Sequence, residues 1–301
     1  MYWKNNWQSY NFDGVDNIKV KPTPTSEWNL KITKTIDRPV KSYQEEMLLN
    51  AQAVRDHFSE PLDLMLSGGV DSEIILQSYT KLKIPINVYI AKFGNINHTD
   101  YTEALKTCDI YGVTPKIIDF DIHKFVKTDA YDMWHQGYYS SVGNMINLKL
   151  TEYLDNIPIM GEGINAQDLV PINKTEWKIK IWERHYNCAF YSSLVDRTII
   201  SAWHNFTPEL VASFLDLNLH KWKKHKIISP PFNLISMHTL KYTNYNRLFG
   251  TRIRKKLIGW ERSETDRSPI DVIRNFNNTH ILNKLKLKEY SWDINEFRQM
   301  L

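Results

Sequence analysis

Leu62-Asp63-Leu64-Met65-Leu66-Ser67-Gly68-Gly69-Val70-Asp71-Ser72-Glu73, running on into Ile74-Ile75-Leu76, is the stretch whose reading decides the fold. Its apolar opening reads as a buried strand and its tail as the start of a helix. The paired glycines between them let the backbone turn sharply and come close to a ligand, while Ser67, Ser72 and the first helical amides aim donors at that point. A group that satisfies such donors is an anion. Asp71 stands out in this setting, because a carboxylate beside a bound phosphate is repelled unless a cation lies between them, which points to Mg²⁺. The loop therefore predicts a metal-bound polyphosphate.

Working outward, residues 42–58 read as an amphipathic helix that leads into the strand: Ser42 caps it with Glu45 three residues on, and Met47, Leu48, Ala51, Val54 and Phe58 recur at helical spacing. After the helix at 71–81 comes a second strand at 86–91, at a distance that fits a βαβ unit with parallel strands. A helix at 99–111 with Gly112 as its C-cap and a third strand at 116–120 follow. The alternation predicts a doubly wound, mainly parallel α/β sheet, whose ligands bind at the carboxyl ends of strands. The 67–72 loop lies at such an end.

Residues 124–154 are mostly helical in spacing, with a looser Tyr138-Tyr139-Ser140-Ser141 interior. Ile157-Pro158-Ile159-Met160 is a further strand, opening into Gly161-Glu162-Gly163-Ile164-Asn165-Ala166-Gln167-Asp168. Alone, Gly-Glu-Gly is more often a plain turn. At a strand end, downstream of the loop, two glycines around a carboxylate suit a close approach to nucleotide and a positioned acid.

With 301 residues, 42% hydrophobic and 24% charged, the chain is globular and long enough for one large domain or one plus an appendage. A formal charge of +4 does not by itself call for nucleic acid. Cys108 and Cys188 are too few for a disulfide framework or a four-thiolate zinc site. No charged-then-apolar leader and no long apolar run is seen, so a soluble, cytoplasmic protein with no membrane partner is expected.

Three parts are expected. Residues 1–41 form an N-terminal arm or small β element, with a short alternating strand at 28–32 and with Trp3, Trp7, Tyr10 and Trp28 covering the core. Residues 42–172 form the α/β core. Residues 173–301, rich in Trp and Lys, read as a mostly helical region packed on that core. There, His185 and Cys188 have metal-ligand spacing without a second pair. The run Lys221-Trp222-Lys223-Lys224-His225-Lys226 suits a nucleic-acid patch, although such runs are more often a solvated helix face.

Ser67-Gly68-Gly69-Val70-Asp71-Ser72 resembles the S-G-G-x-D-S loop of the ATP pyrophosphatases, the PP-loop superfamily (N-type), which cleave ATP between its α- and β-phosphates. The Gly-Lys-Ser/Thr ending of a Walker loop is absent. The resemblance implies an adenine nucleotide alpha hydrolase-like fold with ATP and Mg²⁺ as cofactors. Gly161-Glu162-Gly163 further resembles the start of the G-E-G-A-D-E segment in the asparagine synthetase and β-lactam synthetase branch. That likeness implies that Gly161 lies against the nucleotide and that Glu162 orients or deprotonates the amidation centre. Asn165 stands where the branch has its second magnesium ligand, and Ala166 replaces the next Glu, so Asp168 or the Asn165 carbonyl would have to take that place. Of the two, Asp168 is slightly favoured.

Ser229-Pro230-Pro231-Phe232-Asn233 breaks the preceding helix and resembles the branch's P-F-L-D turn. Arg254-Lys255-Lys256 resembles its R-x-K segment, which implies Lys256, and after it Lys255, as the cation that stabilises charge during adenylation; with Arg252 nearby, a surface cluster explains the run equally well. The branch's glutamine-hydrolysing domain, with its N-terminal cysteine, has neither room nor a cysteine ahead of the loop.

The resemblance implies a mechanism. The β- and γ-phosphates lie in the 67–72 loop with magnesium at Asp71, and adenine contacts backbone near Met65, Leu66 and Ala91. A substrate oxygen attacks the α-phosphate, and Glu162 then handles the incoming amine. The nitrogen comes from ammonia, an amine on the substrate, or a separate protein. Three readings stand side by side. The first is an amide-forming adenylating ligase acting on a carboxylate-bearing small molecule. The second is an enzyme modifying tRNA or a nucleobase, with the 221–226 run on phosphates. The third, motivated by Asn165, is a non-catalytic nucleotide-binding descendant. A homo-oligomer is compatible with each.

Overall fold

A computed structural model describes residues 8–12, 28–32, 34–135, 142–161, 169–171, 177–181, 188, 191–192, 194–200, 203–225, 290–293, 296 and 299–300. Near the N-terminus, β1 (Gln8–Phe12) and β2 (Trp28–Ile32) pair antiparallel, with Gln8 opposite Ile32 and Phe12 opposite Trp28.

Ser42 then starts α1 (Tyr43–His57) with the expected reciprocal cap. The Glu45 amide donates to the Ser42 hydroxyl at 3.4 Å, and the Ser42 amide donates to the Glu45 carboxylate at 3.2 Å. The sheet follows: β3 (Leu62–Met65), β4 (Asn87–Lys92), β5 (Lys116–Asp119) and β6 (Ile157–Ile159), all parallel, in the order β5-β4-β3-β6. Leu62, Leu64, Val88, Ile90 and Ile159 are buried, as expected of parallel strands covered on both faces. Asp63, fully buried within β3, is tolerated because it accepts from the Asn87 side chain at 2.7 Å and from the Asn156 amide at 2.7 Å. It thereby ties the amino ends of three strands.

The helices divide between the two faces. On one, α1, α2 (Val70–Leu82) and Trp203 share a core cluster with β3, β4 and β6. Between β4 and β5 runs α3 (His98–Tyr111), which ends on Gly112 in the left-handed region at φ 64°. On the other face, α4 (Ile122–Lys127), α5 (Asp129–His135) and α6 (Val142–Leu150) form a second cluster with Tyr89 and Met160.

The long helix α7 (Pro208–His225) lies on α1 and completes the first face. The Asn50 carboxamide binds the Trp203 carbonyl at 2.9 Å and the Thr207 amide at 3.1 Å, fixing the entry to α7. Ile200 extends the sheet beyond β6: its amide donates to the Pro158 carbonyl at 2.8 Å and its carbonyl accepts from the Met160 amide at 2.9 Å.

The stretch read as mostly helical also contains strands. An antiparallel sheet joins β7 (Leu169–Pro171), β8 (Trp177–Ile181) and β9 (Tyr290–Asp293) in that order. The alternation Trp177-Lys178-Ile179-Lys180-Ile181 is the local cause, since period two suits a strand and not a helix. Among the described residues, no helix is long and apolar enough to cross a membrane.

Candidate functional site

The chain enters the sheet at β3, steps outward through β4 to β5, then returns to the other side of β3 as β6. The order therefore reverses between β3 and β6, and a crevice opens beyond the carboxyl ends of these two strands, the usual ligand position in such sheets. The 67–72 loop fills one side of that crevice and Gly161 the other. They lie close together: a Cβ on Gly161 would be 3.5 Å from the Ser72 amide nitrogen.

Within the loop, the last sheet bond joins the Leu66 amide to the Tyr89 carbonyl at 2.9 Å. The backbone then turns through Gly68 at φ +78°, where a Cβ would sit 2.2 Å from the Asp100 carbonyl oxygen. Gly68 is thus required by the first turn of α3 as well as by the sharp bend that the paired glycines predict. Gly69, extended at φ −78°, is the N-cap of α2.

The two serines hold the loop in shape. The Ser72 hydroxyl donates to the Gly69 carbonyl at 3.1 Å and accepts from the Ser67 amide at 3.2 Å. With its proton so engaged, it is the acceptor of the Ser67 hydroxyl at 3.1 Å. Ser72, 2% exposed, therefore staples the loop into shape, and Ser67 is the exposed hydroxyl of the pair.

What the loop offers an anion is its backbone. The first bond of α2 joins the Glu73 amide to the Gly69 carbonyl at 3.2 Å, so the amides of Val70, Asp71 and Ser72 precede the helical ladder at the positive end of the helix dipole. Asp71, half-buried in that first turn, lines the crevice. Magnesium is commonly held by one or two carboxylates together with substrate phosphates, and Asp71 beside these amides fits that donor set. Among the described residues, no group of three or more His, Cys, Asp or Glu could hold a metal by itself.

The crevice has a volume of about 170 Å³ and is lined by Met65, Ser67, Asp71, Ser72, Asn147, Met160 and Gly161. Met65 and Ala91 pack on the same cluster, on the face that carries α6. The Ala91 carbonyl accepts from the Asn97 side chain at 2.8 Å, while the Asn97 side-chain oxygen accepts from the Phe93 amide at 2.8 Å, which fixes the end of β4. Leu66 is different: its side chain is buried in the opposite cluster, so only its backbone can face a ligand. Asn147 was not among the sequence candidates; its one signal was a polar residue between Ile146 and Leu148. Glu162, Asp168, Lys255 and Lys256, like His185 and the 229–233 turn, lie outside the described residues.

Other reactive side chains have structural duties. Cys188 is buried with its sulfur 3.8 Å from that of Met160, and burial pushes the Cys108 thiol up to about 11. At the amino ends of the strands, Lys116 donates to Asp155 at 2.6 Å, and the Tyr89 hydroxyl donates to the same carboxylate at 2.8 Å.

No protein-family profile and no curated protein matches the chain. Among solved structures it is similar to an NH3-dependent NAD synthetase from Campylobacter jejuni subsp. jejuni NCTC 11168, at 20% identity over 77% of this chain and 91% of that one, with a TM-score of 0.36. An NMN synthetase from Francisella tularensis shares 14% identity over 84% of this chain and 99% of its own, with a TM-score of 0.34. A U34-tRNA thiolase from Methanococcus maripaludis shares 14% over 81% and 82%, again at 0.34. At TM-scores this low the likenesses carry no weight for activity, and the fold assignment stands on strand order and connection.

Proposed function

We propose that the chain is an ATP-dependent adenylating ligase that forms an amide on a carboxylate-bearing small molecule, in the manner of the asparagine synthetases. The observation that carries the reading is the start of α2: three amides ahead of the helical ladder and one half-buried carboxylate, set in a crevice at the switch point of a parallel sheet.

In this reading the amides of Val70, Asp71 and Ser72 and the Ser67 hydroxyl orient the β- and γ-phosphates, and Asp71 holds magnesium. The metal supplies charge neutralisation on the leaving pyrophosphate. A carboxylate oxygen of the substrate attacks the α-phosphorus, the bond to the bridging oxygen breaks, and pyrophosphate departs with the electron pair. Ammonia or an amine then displaces AMP from the mixed anhydride, losing its proton to Glu162 while Lys256, or Lys255, offsets charge at the attacked carbon. Asp168 would serve any second metal. Products are the amide, AMP and pyrophosphate.

The test is pyrophosphate release from ATP with a panel of carboxylic acids and ammonia. Asp71→Asn should lower turnover by about a hundredfold or more, the scale of losing one preorganised electrostatic group, while the melting temperature stays that of the parent. An Asp71→Asn enzyme as fast as the parent would remove the metal role.

A further inference from the structure

The crevice has a wall that phosphate binding does not use. Two thioethers, Met65 at the end of β3 and Met160 just past β6, face it together with one carboxamide, Asn147 of α6. At about 170 Å³ the whole crevice falls below the roughly 300 Å³ of a pocket that encloses a whole drug-sized ligand, so this wall takes one part of a nucleotide and the start of α2 another. Its chemistry says which part. The amides suited to phosphate are those of the α2 side, where Asp71 and Ser72 line the crevice, whereas Met65, Met160 and Asn147 bring no charge. Such a wall disfavours an anion and suits a flat ring lying against sulfur.

Asn147 is exposed while Ile146 and Leu148 beside it are buried. A carboxamide presents a donor and an acceptor side by side. Adenine answers with an exocyclic amine donor next to the N7 acceptor, whereas guanine, and likewise hypoxanthine, places acceptors at both positions. We propose that Asn147 selects adenine: its Oδ1 accepts from the exocyclic amine and its Nδ2 donates to N7, with the ring resting on Met65 and Met160. The assignment rests on the nucleotide reading of the loop. To the backbone contacts expected at Met65 and Ala91 it adds recognition by a side chain.

Calorimetric titration of the full chain with ATP, 7-deaza-ATP and ITP, each with magnesium, tests it. The parent should bind ATP about tenfold or more tighter than either analogue, the discrimination a bidentate carboxamide provides. Asn147→Leu should bind all three alike, at the weaker value. The isosteric Asn147→Asp keeps the acceptor and loses the donor, so it should lose the difference between ATP and 7-deaza-ATP; circular dichroism checks that both variants are folded. Equal affinities in the parent, or a preference that survives in Asn147→Leu, would overturn the role of Asn147 while leaving nucleotide binding intact. No binding of any of the three would overturn the nucleotide reading itself, and this inference with it.

Discussion

At Gly68 the missing side chain serves another helix. A Cβ there would press on the Asp100 carbonyl from 2.2 Å, and the backbone is at φ +78°, so alanine is opposed both by contact and by conformation. Gly68→Ala should cost about 2–5 kcal/mol, adding a left-handed penalty to that of overpacking against backbone. Gly69→Ala, at φ −78° and facing only the Ser67 hydroxyl at 3.3 Å, should stay within about 1 kcal/mol of the parent. Urea denaturation of the two variants reads the contrast directly; equal midpoints would show that α3 does not press on the loop. The sequence made a glycine turn legible but not its neighbour, because α3 is encoded beyond another strand. The Ser72 hydroxyl bonds the Gly69 carbonyl three residues back, a local helical contact, but its meeting with Ser67 across the loop depends on the bend, a geometry that spacing alone does not report. Asn147 went unseen because a polar residue at an exposed position of a mostly apolar helix reads as its solvent side.

Elements were more legible than contacts, and the reasons are local. Ser42 with Glu45, Gly112 after α3 and the apolar run of β3 each specify their element within a few residues. The sheet β7-β8-β9 escaped because β7 is very short and β9 joins β8 from far along the chain, although the alternation of β8 itself was visible. Up to His225 the basic run falls, by its backbone, in the last turns of α7. Replacing Lys221, Lys223 and Lys224 with Gln should leave pyrophosphate release unchanged if the acceptor is a small molecule. A tRNA substrate would instead show affinity that falls steeply with salt in the parent and weakens in this variant. Between strands, Lys116 and then Tyr89 hold the Asp155 carboxyl below its ordinary range, and Asp155 and then Tyr89 raise Lys116. A depressed acid contributes stability above its unfolded value and loses it as pH falls through the folded one. A raised lysine contributes below its unfolded value and loses it as pH rises through the folded one. Both side chains are largely exposed and water screens them, so the effect is small. Melting temperature followed between about pH 2 and 5 should fall less steeply in Asp155→Asn than in the parent.

At the scale of the whole molecule, the crevice is where separately stabilised parts meet. The loop hangs from β3 and braces on α3, Met160 and Gly161 follow β6, and Asn147 comes from α6 in the second core cluster. A ligand seated among them binds the folded chain and not the unfolded one, so it must raise stability by mass action, about 2.7 kcal/mol at a hundred times its dissociation constant. For a chain of this length that is a rise in melting temperature of roughly 5 °C. ATP with magnesium should produce the shift, and chelation of the metal or Asp71→Asn should remove most of it, because the triphosphate would then face the Asp71 site without a counter-ion. Tripolyphosphate should give a smaller rise than ATP, since it reaches the amides of α2 but leaves the wall of Met65, Met160 and Asn147 empty. The same measurement separates catalysis from binding. A full shift with ATP, in a protein that releases no pyrophosphate with any acid, amine or RNA offered, would assign the crevice to nucleotide binding alone. No shift with ATP would mean that the crevice does not bind it, and the ligase reading would fall.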